Sequence, residues 1–119
     1  MSPHFFAHII YILESCEVIE NLLQIPEDIA KTAGCYDAIL HRLQTLSEST
    51  QKLPDDIKQQ HRHVNWRRFA GMRNAIVHDY LGDIYVEKVY QFIHEELPAL
   101  KQAMENQLPE WRGLRARLQ

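Results

Sequence analysis

The side chains best suited to chemistry in this chain of 119 residues lie in one short segment, residues 73–80, with the sequence RNAIVHDY. Arg73, His78 and Tyr80 supply a guanidinium, an imidazole and a phenol within two turns of a helix. A guanidinium can hold a phosphate, an imidazole can transfer a proton near neutral pH, and a phenol can donate a hydrogen bond or be modified. This set of groups suits cleavage of a phosphodiester without a metal ion.

The segment ends a stretch that carries charge of one sign. The chain as a whole has a net charge of -3, whereas proteins that coat long stretches of DNA are usually basic, so we expect no DNA partner and only a local contact with nucleic acid. Residues 57–78 contain no Asp or Glu. Their basic side chains are Lys58, Arg62, Arg67, Arg68 and Arg73, with His61, His63 and His78. We favour a phosphate-facing patch; the alternative is a solvated helical face paired with acids elsewhere.

Apolar residues recur at spacings of three and four almost throughout, which predicts helices. The expected helices cover about 2–23, 26–52 with a break near Gly34, 54–60, 66–79 and 84–106, with Asn65 as the cap of the fourth and Pro98 as a kink in the fifth. We predict an all-α, up-and-down bundle of four or five helices in one domain, residues 1–119, with a loosely held tail at 109–119. Cys16 and Cys35 fit reduced, half-buried positions in a cytoplasmic protein, and no apolar run is long enough to span a membrane.

On a helical wheel the motif residues face different directions. Phe69 and Ile76 share the core side, His78 lies on the opposite side, and Arg73 is about 140° from His78. One chain can therefore aim both at one atom only if the helix unwinds before His78; otherwise a second copy supplies part of the site. The small residues Gly71 and Ala75 would let another backbone approach, so we predict a two-fold homodimer with the motif helices at its seam.

Arg67 and Arg68 stand in the first turn of this helix, at the positive end of its dipole, where positive charge is unfavourable. Residues that break a local rule are often functional, so both are predicted to bind substrate. The alternative is that both are exposed and bonded to acids of another helix.

The pattern of Arg73, four residues, His78, one residue and Tyr80 resembles the signature of the HEPN superfamily, specifically its HepT-like branch. Further matching residues are Asn74, Trp66 and Gly71-Met72, and the resemblance covers most of the chain. One departure is Leu46-Ser47-Glu48-Ser49, where relatives often carry Ile-Gly-Glu-Ala.

The resemblance implies a homodimeric, metal-independent ribonuclease that acts as the toxin of a type VII-like toxin–antitoxin pair. Its usual partner is a nucleotidyltransferase of the MNT type, which acts as antitoxin, and Tyr80 is the expected target of adenylylation by that partner. No cofactor is implied.

For cleavage of RNA, His78 is the candidate base or acid, and Arg73 would hold the phosphate. Asn74 could orient His78, and Tyr80 could position the substrate. The other six histidines are interpreted as structural, and no cluster has metal-ligand spacing. Two alternatives stay open: Arg73 pairs with Glu48, or the chain is a non-catalytic binding module that holds the nucleotidyltransferase or its nucleotide.

Overall fold

The computed structural model describes residues 3–26, 28, 34–79, 86–111 and 113, and the regular structure among them is helical, without strands. Five helices are described: α1 (Pro3–Leu23), α2 (Cys35–Gln51), α3 (Asp55–Gln60), α4 (Trp66–Asp79) and α5 (Val86–Gln107). The prediction of an all-α bundle is confirmed, and the helix boundaries lie within two or three residues of those expected where they can be compared.

Local sequence explains the helix boundaries. Gly34 adopts φ +72°, in the left-handed region that glycine enters without steric cost, and α2 begins at the next residue. Pro54 precedes α3 in an extended conformation. Pro98 lies inside α5, where it lacks an N–H for the helical hydrogen bond, and the kink expected there stays a prediction.

One cluster of buried side chains joins all five helices. Helix α1 packs against α2 and α5, and α2 also packs against α4. Fully buried members from these helices include Leu13, Leu43, Phe69 and Leu100. Burying each such side chain stabilises the fold by roughly 1.5–3 kcal/mol relative to exposure, which makes this core the main reason that α4 is held in place.

One expectation needs correction. Cys16 and Cys35 are free thiols as predicted, but both are buried rather than half-buried. At the start of the predicted tail, Trp111 is buried against the core, and its indole Nε1 donates a hydrogen bond to Glu17 Oε1 at 3.3 Å. The loosely held tail over 109–119 stays a prediction. Residues 112 and 114–119 lie outside the described residues, as does the turn predicted at 81–83.

In the part of the chain that the structure describes, no helix combines the length and apolar character needed to cross a membrane.

Candidate functional site

The start of α4 is fixed by hydrogen bonds. Asn65 Oδ1 accepts a hydrogen bond from the backbone N–H of Arg68 at 3.3 Å, which confirms Asn65 as the cap. The indole Nε1 of Trp66 donates to the carbonyl oxygens of Lys58 and His61, at 3.3 and 3.2 Å. The first turn of α4 is thereby tied to the preceding helix α3 and the turn that follows it.

One face of α4 is buried, which orients the motif. Phe69 and Ile76 are almost completely buried, and Trp66 and Met72 pack partly buried against the core. The Phe69 ring meets Phe92 of α5 edge to face, with ring centroids 5.0 Å apart. The predicted core side of the helix is therefore confirmed, and the polar side is left towards solvent.

Arg68 pairs with carboxylates of another helix. This is the alternative to a substrate-binding role that the sequence left open. Its Nη1 lies 2.8 Å from Glu95 Oε2 and 3.0 Å from Glu96 Oε1, both on α5. The guanidinium also lies over the Phe92 ring, 5.3 Å from its centroid. The hydrogen bond from Arg68 lowers the pKa of the Glu95 carboxyl, and the hydrogen bond to Glu95 raises the pKa of Arg68. Arg68 thus holds α4 to α5, whereas Arg67 is exposed with no ion-pair partner among the described residues.

Arg73 is half-buried and has no carboxylate partner within the described part of the chain. Its Nη1 donates to Asn74 Oδ1 at 3.2 Å. Glu48, the alternative partner of Arg73, accepts a hydrogen bond from Gln44 at 3.1 Å instead. The Arg73–Glu48 pair is therefore not formed, and the side-chain contact of Asn74 is with Arg73 rather than with His78.

His78 is exposed in the last turn of α4. Because α4 stays helical through Asp79, the possibility that the helix unwinds before His78 is wrong. Arg73 and His78 of one chain therefore diverge by about 140° and are about 7.5 Å apart along the axis. The predicted modification site, Tyr80, lies outside the described residues.

A groove of about 370 Å³ runs between α2 and α4 beside the motif. Asp37, His41 and Gln44 line it from α2, and Ile76 and Val77 line it from α4. The carboxyl-terminal end of α4 thus lies beside the amino-terminal half of α2. Val77 is 41% exposed.

The sequence alone did not single out the α2 side of this groove, and His41 was grouped with the structural histidines. The available signal was the spacing of residues 37, 41 and 44, which places three polar side chains on one helical face. That spacing is common on solvated helices. Only the packing of α2 against α4 shows that these side chains line a groove.

The acid-free stretch does not form one continuous patch. His61 is buried, and its Nε2 accepts a hydrogen bond from Gln107 Nε2 at 2.9 Å. Burial, and secondarily the neighbouring His63, lowers the pKa of His61. This imidazole therefore serves the junction of α3 and α5. Over the described residues, no group of three or more His, Cys, Asp or Glu side chains is arranged to hold a metal ion.

Comparison with known proteins places the chain in a family. The family model described as "Ribonuclease HepT-like" matches residues 12–106. A candidate RNase of Caldanaerobacter subterraneus subsp. tengcongensis is 32% identical over 93 residues, covering 76% of this chain and 82% of the relative. A candidate RNase of Methanocaldococcus jannaschii is 30% identical over 105 residues, covering 86% and 85%.

A relative from Thermococcus cleftensis, whose name describes it as a ribonuclease HepT, is 29% identical over 92 residues, covering 76% of this chain and 83% of its own length. No solved structure gives a significant match. Arg73, His78 and the helix that carries them fall within the matched region. The chain belongs to the HepT-like ribonuclease family.

Proposed function

We propose that this protein is a metal-independent endoribonuclease whose site is assembled from Arg73 and His78 of two protomers. The observation that carries the proposal is that the two residues filling the family's Arg and His positions both lie outside the core, on an unbroken helix, without a carboxylate partner in the described structure. A guanidinium that is already neutralised by an acid would be a poor phosphate ligand, so the contrast with Arg68 supports the role of Arg73.

A homodimer with α4 at its seam is part of the proposal. The divergence of Arg73 and His78 on one helix supports a site completed by the second copy. The surface of α4 at Gly71 has room for the backbone of a second copy, because a Cβ added at Gly71 would meet nothing within 4 Å.

The mechanism uses the RNA's own nucleophile. One His78 accepts the proton of the 2′-hydroxyl, whose oxygen attacks the neighbouring phosphorus. The bond from phosphorus to the 5′-oxygen then breaks, and the second His78 donates a proton to that leaving oxygen. Arg73 binds the phosphorane oxygens, where negative charge accumulates in the transition state. The products are a 2′,3′-cyclic phosphate and a 5′-hydroxyl, with no net change in protons.

In the cell this activity would make the protein the toxin of a type VII-like toxin–antitoxin pair in the cytoplasm. A nucleotidyltransferase of the MNT type would be the antitoxin and would adenylylate Tyr80. An AMP group there, two residues beyond His78, would bring a bulky anion into the phosphate-binding cleft and compete with RNA.

The direct test is incubation of the purified protein with RNA in EDTA, followed by identification of the ends. Cleavage to a cyclic phosphate and a 5′-hydroxyl, lost in Arg73→Ala and His78→Ala but retained in Arg68→Ala, is the expected result. Full activity in His78→Ala would rule out the mechanism. Intact RNA combined with tight nucleotide binding would favour the non-catalytic binding module instead.

The antitoxin part has a separate test. Incubation with the partner and ATP should add about 329 Da per adenylyl group, located on Tyr80 by peptide mass spectrometry. Tyr80→Phe should stay unmodified and toxic in the presence of the partner. Modification of another residue, with Tyr80 unchanged, would remove this part of the proposal.

A further inference from the structure

We propose that the exposed face of α4 binds a single strand of RNA from His78 to Arg67, with Arg67 as the ligand of a phosphate several nucleotides from the cleaved linkage. This inference rests on the proposed function, because it takes His78 to mark the linkage that is cleaved. It deepens that function by giving the substrate a strandedness and a minimum length, and by separating the role of Arg67 from that of Arg68.

Four exposed residues of α4 form one row along the helix, here called the α4 row. Arg67, Gly71, Asn74 and His78 follow one another at spacings of four, three and four, so they lie within about 60° around the helix axis. The two ends of the row carry side chains that can bind phosphate, and no member of the row is acidic. A second copy that approaches at Gly71 would cover the middle of the row and leave both ends at the edges of the shared cleft.

The charge of Arg67 is available to a ligand, whereas the charge of Arg68 is already neutralised. Arg67 has no ion-pair partner among the described residues, and Arg68 pairs with two carboxylates of α5. Both arginines stand at the positive end of the helix dipole, where a cation destabilises the helix. The fold compensates this cost for Arg68 alone. Arg67 therefore keeps the uncompensated charge that a phosphate ligand requires.

The chain around Arg67 carries charge of one sign. Residues 57–78 contain no Asp or Glu, and Arg62 and His63, in the turn that leads into α4, are exposed. On a helical wheel Arg68, and with it the acids of α5, lies about 100° away from Arg67. A basic surface of this kind attracts phosphates irrespective of the base, and proteins use such contacts to follow the backbone of a single strand. Because the contacts form one row, we commit to single-stranded RNA rather than a duplex.

The spacing of the α4 row sets the length of the strand. Arg67 and His78 are eleven positions apart in the sequence, which corresponds to about 16 Å along the helix axis. At roughly 3.4 Å per nucleotide of a stacked strand, this distance spans about five nucleotides, and fewer if the strand is extended. A trinucleotide bound at His78 therefore ends before Arg67, whereas a nonanucleotide reaches it.

The test measures binding, so that it does not depend on catalysis. Fluorescent 2′-O-methyl RNA strands, which lack the attacking hydroxyl, would be titrated with protein at several salt concentrations and followed by anisotropy. With the nonanucleotide, Arg67→Ala should lower the affinity about tenfold at about 50 mM salt. The slope of log K against log salt should become less negative by about 0.7 for each Arg67 that binds a phosphate. Arg67→Lys keeps the charge and should keep the slope, and the trinucleotide should bind the wild type and Arg67→Ala equally.

The matched control is the double variant Arg68→Ala with Glu95→Gln, which removes the neighbouring arginine and one of its acids and so leaves the net charge unchanged. It should keep the affinity and the salt dependence of the wild type. The melting temperature of Arg67→Ala should match that of the wild type, so that weaker binding is not a loss of folded protein.

Several results would overturn the inference. These are equal effects of Arg67→Ala and the control, an equal effect of Arg67→Ala on the trinucleotide, or equal binding of a nine-base-pair RNA duplex. A change in the oligomeric state of Arg67→Ala by light scattering would also overturn it, because Arg67 would then be a contact between copies. Cleavage measured in parallel separates the two proposals. Active wild-type enzyme with unchanged binding by Arg67→Ala contradicts only the α4 row, whereas weaker binding by Arg67→Ala without cleavage by the wild type contradicts only the ribonuclease.

Discussion

The two ends of α4 carry the same kind of charge and use it differently. At the amino-terminal end, Asn65 caps the helix, Trp66 donates to two carbonyl groups, and Arg68 is held by Glu95 and Glu96 of α5. At the carboxyl-terminal end, neither Arg73 nor His78 has a carboxylate partner among the described residues. The lesson is that an arginine's role on a helix depends on what the neighbouring helix presents to it, which cannot be deduced from the arginine alone.

The largest expected difference between the two ends is in catalysis. Arg73→Ala and His78→Ala should each lower the rate of RNA cleavage at least about a hundredfold, because a proton-transfer group or a transition-state ligand is removed. Arg68→Ala should leave the rate per folded molecule within about twofold and lower the melting temperature slightly, as surface ion pairs contribute little. Cleavage assays and thermal unfolding of the three variants provide the measurement. Equal losses of activity in Arg68→Ala and Arg73→Ala would contradict the assignment of a structural role to Arg68 and a catalytic role to Arg73.

A mixing experiment tests whether one catalytic site needs the carboxyl-terminal end of α4 from both protomers. Wild-type and His78→Ala protomers would be refolded together in equal amounts and assayed for cleavage. If each site needs His78 from both copies, roughly a quarter of the wild-type activity should remain, whereas sites within single chains would leave roughly half. A mixture with Arg68→Ala in place of His78→Ala should stay near full activity. Cleavage activity that rises linearly with the fraction of wild-type protomers would contradict a site shared between protomers.

At the amino-terminal end, the cap should affect stability rather than chemistry. Asn65→Ala removes the acceptor of the Arg68 N–H and should lower the free energy of unfolding by about 1 kcal/mol in urea titrations. Asn65→Asp keeps an acceptor and is the matched control. The rate of cleavage per folded molecule should be unchanged in both variants, and a large loss of rate would mean that this end also takes part in catalysis.

The smallest expected effect is the contribution of His61 to the pH dependence of stability. The backbone carbonyl of His61 accepts a hydrogen bond from Trp66, at the amino-terminal end of α4. Its pKa is lowered in the folded protein by burial, so below the ordinary value of about 6.5 the unfolded chain binds the proton more readily. Its contribution to stability is therefore complete above about pH 6.5 and decreases as the pH falls towards the lower folded pKa. Urea unfolding of wild-type protein and His61→Gln between about pH 7.5 and 5.5 should show a smaller pH dependence in the variant. An identical pH dependence would exclude this role for His61.

The sequence by itself determined the described helices, the start of α2 directly after Gly34, the cap at Asn65 and the core side of α4. These features follow from local rules: apolar spacing, a glycine tolerant of positive φ, and a side chain that can accept an N–H bond. The sequence also determined the motif, because the family pattern is a property of residue order.

Only the tertiary structure decided which basic side chains are already paired with carboxylates. Arg68 and Glu95 are 27 residues apart in the chain, and nothing in the residues near Arg68 indicates that α5 places two carboxylates beside it. The same holds for the groove, whose two walls come from helices separated by α3 and its flanking turns. Pairing and groove formation depend on how helices pack, and packing is set by the burial of the whole apolar surface rather than by any local segment.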